Sequence, residues 1–132
     1  MRGSCLCGAV RWSTERELRA VLECHCIRCQ KITGNHMAAT AVGTDALEIV
    51  GETLRWYSPD DDANVAYGFC ATCGSSLFYR SGITDGSNTD TSVCAGSIDG
   101  ASGLHTSAVW FADDAADHVR LDPDVPIFPG QP

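Results

Sequence analysis

The chain has 132 residues, of which 44% are hydrophobic and 20% charged, with a formal charge of -8 and a pI near 4.7. That length suits one domain, residues 1–132, with one core, and the composition is that of a globular chain rather than a disordered one. So acidic a surface repels a phosphate backbone, which counts against nucleic acid as a partner. The opening MRGSCLCGAVRW has no apolar run of signal-peptide length, and no segment approaches a membrane span, so the expected location is the cytoplasm, away from membranes.

In chain order, short apolar stretches rich in β-branched and aromatic residues recur: AVRWST, RAVLEC, MAATAV, LEIV, TLRWYS, VAYGF, SLFYR, TSVCAG, TSAVWFA and HVRL. Turn-forming clusters such as GTD, SPDDDAN and SGITDGSNTD lie between many of them. This pattern predicts an all-β domain of many short strands. Alternation places Val10 and Trp12 on one face. One short helix is expected, beginning near Cys26 and stopping before Gly34. A further turn is expected in DDAADH, and the Pro-rich tail DPDVPIFPGQP reads as an extended arm over the surface. The acidic PDDDAN and ITDGSNTD segments lack the ligand spacing of a calcium loop and read as solvated turns.

Eight cysteines are the feature that composition does not explain. A reducing cytosol disfavours disulfides, and the spacing is that of ligands: C-x-C at Cys5 and Cys7, C-x-C-x-x-C at Cys24, Cys26 and Cys29, and C-x-x-C at Cys70 and Cys73. The first and last pairs each end in Cys-Gly. Glycine permits the left-handed turn that wraps backbone beneath a metal and aims amides at thiolates. Together they supply a complete tetrahedral zinc shell of four cysteines, closed to substrate and therefore structural. The metal would close a loop holding nearly half the chain.

The remaining set, Cys24, Cys26 and Cys29, has one ligand fewer. Spacing alone leaves two readings open: a catalytic zinc with an exchangeable position, or a closed site completed by Cys94 or a histidine. Cys94 lies in the apolar TSVCAG and is expected to pack as a small hydrophobe. His25 falls between two ligands, so its ring is expected to point away from the metal. His36, His105 and His118 show no partner in the sequence. Arg28 and Lys31 put positive charge beside the three thiols in an otherwise acidic chain, as a cradle for an anionic substrate or as solvated surface charge.

The order GSCLCGAVRW, CHCIRCQKITG, YGFCATCGSSLFYRSG and AGSIDGASGL resembles the glutathione-dependent formaldehyde-activating family, also called the CENP-V/GFA domain family. The resemblance runs from Gly3 to about Pro126. It implies an all-β "β-tent" fold of small antiparallel sheets clamped by a structural zinc on four cysteines. It assigns Cys5, Cys7, Cys70 and Cys73 to that structural zinc, and Cys24, Cys26 and Cys29 to a second, substrate-facing zinc. Cys94 lies outside the motif. The implied activity is that of a carbon–sulfur lyase resembling S-(hydroxymethyl)glutathione synthase, which joins glutathione to formaldehyde or a small aldehyde. Two alternatives stand beside it: a carrier that binds glutathione or another small thiol without turnover, and a chromatin-associated protein like the CENP-V branch. The acidic charge and the lack of a basic tail count against the last.

Overall fold

The computed structural model describes residues 1–132. Ten strands form: β1 (Arg2–Ser4), β2 (Arg11–Ser13), β3 (Val21–Cys24), β4 (Met37–Gly43), β5 (Glu48–Val50), β6 (Leu54–Tyr57), β7 (Val65–Cys70), β8 (Ser76–Ser81), β9 (Asp90–Cys94) and β10 (Thr106–Trp110). One α-helix, α1 (Ile27–Thr33), follows β3. The expected all-β class is therefore observed. The strands build a three-stranded sheet, β1-β2-β5, and a seven-stranded sheet ordered β10-β3-β4-β9-β8-β7-β6. Every pairing is antiparallel except β10 with β3.

Two apolar clusters lie on opposite faces of the larger sheet, because alternating residues of its strands divide between them, except at Leu77, the extra residue where the β7–β8 register shifts, which shares a cluster with Phe78. Phe78 and Val93 join Trp12, Leu18, Val42 and Leu77 in the cluster facing the small sheet. Tyr79 and Cys94 join Met37, Ala39, Val65 and Tyr67 in the other, beneath α1. Val10 and Trp12 are both buried, as their alternation predicts. The Trp12 indole N–H donates to Ser97 Oγ at 3.0 Å, and Ser97 in turn donates to the Cys94 carbonyl at 2.8 Å. That chain of bonds gives a buried ring nitrogen its partner and ties the small sheet to the end of β9.

The helix forms where its caps require. Cys26 is the N-cap, and its sulfur accepts from the Cys29 N–H. Gly34 ends the helix in the left-handed conformation, with its N–H returned to the Gln30 carbonyl.

Two departures have physical reasons. HVRL is not a strand; it lies in a turn and irregular chain, with the Val119 N–H bonded back to Ala116. A strand there would need an edge to pair with, and the free edge of β10 is taken by the tail. Val109 donates to Pro126 and accepts from Phe128, both at 2.9 Å. The tail is thus an arm, but one bonded to a strand edge, which protects that edge. The other departure is β1, whose three residues carry too little pattern to stand out and gain order by pairing with β2.

Candidate metal centres

Cys5 and Cys7 lie in the turn after β1, and Cys70 and Cys73 at the end of β7 and the turn beyond it. Gly8 and Gly74 adopt nearly the same left-handed φ, 77° and 76°. Their N–H groups donate to the carbonyls of Cys5 and Cys70, which closes two matching knuckles. The four sulfurs all lie within 4.8 Å of one another. Cys5 and Cys7 sulfurs are 3.6 Å apart, and Cys7 and Cys70 sulfurs 3.8 Å. Tetrahedral sulfurs at about 2.3 Å from a zinc would be about 3.8 Å apart, so this donor set fits a metal of that kind.

Polar groups favour the thiolate at two of the four cysteines, Cys70 and Cys73, while Cys7, bonded to its neighbouring thiols, is pushed up to about 11. The Val10 N–H donates to Cys5 Sγ at 3.2 Å. Thr53 Oγ1 lies 3.3 Å from Cys70 Sγ, and Ser75 Oγ 3.2 Å from Cys73 Sγ. The Ser75 hydroxyl and neighbouring amides lower the Cys73 pKa to about 5, and Thr53 with the amides of its turn lowers that of Cys70. Cys5 and Cys70 are also members of the main core, so a metal here would be continuous with the packing between the sheets.

Cys24 ends β3, Cys26 caps α1 and Cys29 lies in its first turn, so a strand-to-helix corner gathers all three sulfurs within 4.8 Å. No fourth ligand-type side chain joins them. Cys94 lies outside the group, packed as expected in the cluster beneath α1, where burial raises its thiol pKa to about 12. The helix start lowers the pKa of only one of its two cysteines. Hydrogen bonds from Cys24 and Cys29, aided by the Cys29 and Arg28 amides, push Cys26 down to about 2. Cys24 is pushed up to about 11 and Cys29 is raised further, chiefly because each keeps its proton and donates it to a neighbouring sulfur. One negative charge shared among three sulfurs is the condition that a cation relieves. Tyr67 and Tyr79, with rings 5.2 Å apart, pack in the same cluster. Burial, reinforced by Cys29, raises both phenol pKa values, so these rings present neutral hydroxyls. Neither residue stood out in the sequence; the alternation of VAYGF and SLFYR is the signal that pairs them.

Arg28 and Lys31 lie three residues apart on α1, hence on neighbouring positions of its surface. Lys31 is exposed. Arg28 forks onto the acidic loop, with Nη1 donating to Asp62 at 2.8 Å and Nη2 to Asp61 at 3.1 Å. The PDDDAN turn is therefore anchored to the helix rather than merely solvated. His25 is 1% exposed, and stacks on His36 with ring centroids 4.6 Å apart. Those histidines and Glu23 form a third cluster, of which Glu23 and His25 alternate with Cys24 and Cys26 along the chain.

Two knuckles and a strand-to-helix corner, each gathering thiols, define a small β-protein with two cysteine clusters able to hold metal. The chain belongs to the glutathione-dependent formaldehyde-activating enzyme family, whose model matches residues 1–114. Among solved structures it is similar to the crystal structure of a Rhodobacter sphaeroides protein, at 24% identity and a TM-score of 0.61, with 78% of this chain and 92% of that one covered. That likeness supports the fold. A search of curated proteins found no match.

Proposed function

We propose that the protein is a zinc-dependent carbon–sulfur lyase that joins glutathione, or a related thiol, to formaldehyde or another small aldehyde. In this reading Cys5, Cys7, Cys70 and Cys73 hold a structural zinc, and Cys24, Cys26 and Cys29 hold a second, substrate-facing one, within one domain spanning residues 1–132. The observation that carries the reading is the count at the second site: three sulfurs converge and no fourth donor does. Three ligands leave a position for a substrate.

When bound there, zinc supplies a coordination position and the positive charge that keep a substrate sulfur deprotonated near neutral pH. The chain's own groups do the rest. Cys26 enters as the readiest thiolate, held in place by the Cys29 N–H. Met37, Tyr67 and Tyr79 wall one side with apolar surface and limit water there. Lys31, and Arg28 where it is released from Asp61 and Asp62, face the carboxylates of glutathione. The substrate sulfur bonds to the aldehyde carbon as the carbonyl π bond breaks and its electron pair moves to oxygen, which takes up the proton lost by the thiol to become the product hydroxyl.

A carrier that binds the thiol without turnover is the second reading. Three thiolates more than offset the zinc charge, which weakens its Lewis acidity and favours holding a sulfur over activating a carbonyl. NMR exchange between formaldehyde and its glutathione adduct separates the two. Faster exchange with the wild type, lost in Cys26→Ser, supports the lyase. Tight binding without faster exchange assigns the carrier.

A further inference from the structure

Glu23 and His25 alternate with Cys24 and Cys26, so the run Glu-Cys-His-Cys presents sulfur one way and nitrogen and oxygen the other, and His36 joins them from just before β4. Their ligand atoms all lie within 4.8 Å of one another. Glu23 has its two oxygens divided: Thr106 donates to Oε1 at 3.1 Å, while Oε2 faces His25 Nε2 and His36 Nε2, each at 3.9 Å. Those distances are too long for hydrogen bonds. His25 Nε2 and His36 Nδ1 are buried and have no hydrogen-bond partner. Polar atoms so placed are uncommon in a folded chain and need an explanation. Of the two, His25 Nε2 is the one that faces the carboxylate; it converges with Glu23 Oε2 and His36 Nε2 without a hydrogen bond to either, while His36 Nδ1 is the other nitrogen of its ring.

We propose that Glu23, His25 and His36 form a further metal site, for a divalent first-row transition ion such as Zn2+ or Co2+, chemically distinct from both cysteine clusters. Two imidazoles and one carboxylate are a donor set that suits such ions, and the absence of sulfur separates it from the thiol sites. Tetrahedral ligands at about 2.0 Å from the ion would be about 3.3 Å apart, so each 3.9 Å contact closes by about 0.6 Å on binding. Glu23 and His36 are 22% and 23% exposed, so their side chains have room to make that adjustment, while His25 stays fixed at 1%. The same exposure leaves the remaining coordination position open to water or a small anion. The Thr106 bond to Oε1 orients the carboxylate, the usual part of a neighbour that supports a metal ligand. The site joins the end of β3, through Glu23 and the following residue His25, to the residue just before β4.

The test is metal stoichiometry in the full chain. Wild type, Glu23→Gln and His36→Ala are loaded with excess Co2+, passed through gel filtration, and assayed for metal and for absorption. Both substitutions lie at partly exposed positions, and circular dichroism checks that each variant is folded. The expected result is one equivalent of cobalt fewer in each variant than in the wild type, with no loss of thiolate-to-cobalt charge-transfer intensity. Equal cobalt in all three proteins overturns the proposal. So does a lost equivalent accompanied by lost charge-transfer intensity, since that ion would have been bound by cysteine.

Discussion

The sulfurs of Cys7 and Cys70 lie 3.8 Å apart although 63 residues separate them in sequence. Each comes from a knuckle closed by a left-handed glycine, and the two knuckles meet at the edge of the main core. A cross-link at this point would hold together chain segments that no hairpin joins, which is where loop-closure entropy is greatest.

Cys5→Ser and Cys70→Ser should each release the structural metal and unfold most of the domain, because metal affinity there is folding free energy. Both residues are buried in the core, so the loss includes packing. A thermal melt by circular dichroism with metal analysis checks this. Wild-type melting and metal content in either variant would remove the clip from the account.

Cys94→Ala should keep the same metal content and cost about 1 kcal/mol or less, since it removes one small buried sulfur. Elemental analysis and a urea titration read the two quantities. Loss of a metal equivalent would make Cys94 a ligand and close the second site.

Arg28, proposed above to face the carboxylates of glutathione, has its charge engaged by Asp61 and Asp62. Asp61→Asn with Asp62→Asn should free the guanidinium and tighten glutathione binding several-fold at low salt; Arg28→Glu should weaken it, and added salt should shrink both effects. Calorimetry at two salt concentrations measures this. Unchanged affinity in all variants would place Arg28 in loop anchoring alone.

The same pair has a pH signature. Arg28 holds the Asp62 carboxyl below its ordinary pKa. A depressed carboxylate contributes stability that is complete above its unfolded pKa and is lost as pH falls through the folded one. The loop at residues 59–64 should therefore stay docked through the ordinary carboxylate range and detach only below it. Amide NMR shifts of Asn64, whose N–H donates to Asp62, follow the transition. Detachment at the ordinary carboxylate pKa would show that the pair contributes nothing.

The division of seven cysteines into four and three was legible because ligand spacing is local: a C-x-C, a C-x-x-C and their glycines specify each knuckle within a few residues. The helix was legible for the same reason, through Cys26 and Gly34. Partners drawn from distant segments were not. Arg28 meets Asp61 and Asp62 across more than thirty residues, and nothing near either one signals the pairing. His36 meets Glu23 and His25 because β3 and β4 pair, a tertiary fact; only the alternation in Glu-Cys-His-Cys hints at it. HVRL has strand-like residues, but the Pro-rich tail occupies the edge it would have needed.

The central claim is that Cys24, Cys26 and Cys29 hold a zinc that captures a substrate thiol. Calorimetry of glutathione binding to zinc-loaded wild type and Cys26→Ser, in buffers of different ionisation enthalpy, tests it most directly. The wild type should bind glutathione and release a proton near neutral pH, because the sulfur is held as thiolate. Cys26→Ser should remain folded, contain one zinc equivalent fewer, and bind glutathione at least about tenfold more weakly, a loss of about 1.4 kcal/mol or more. Equal affinity in the two proteins, or binding without proton release, would contradict the account.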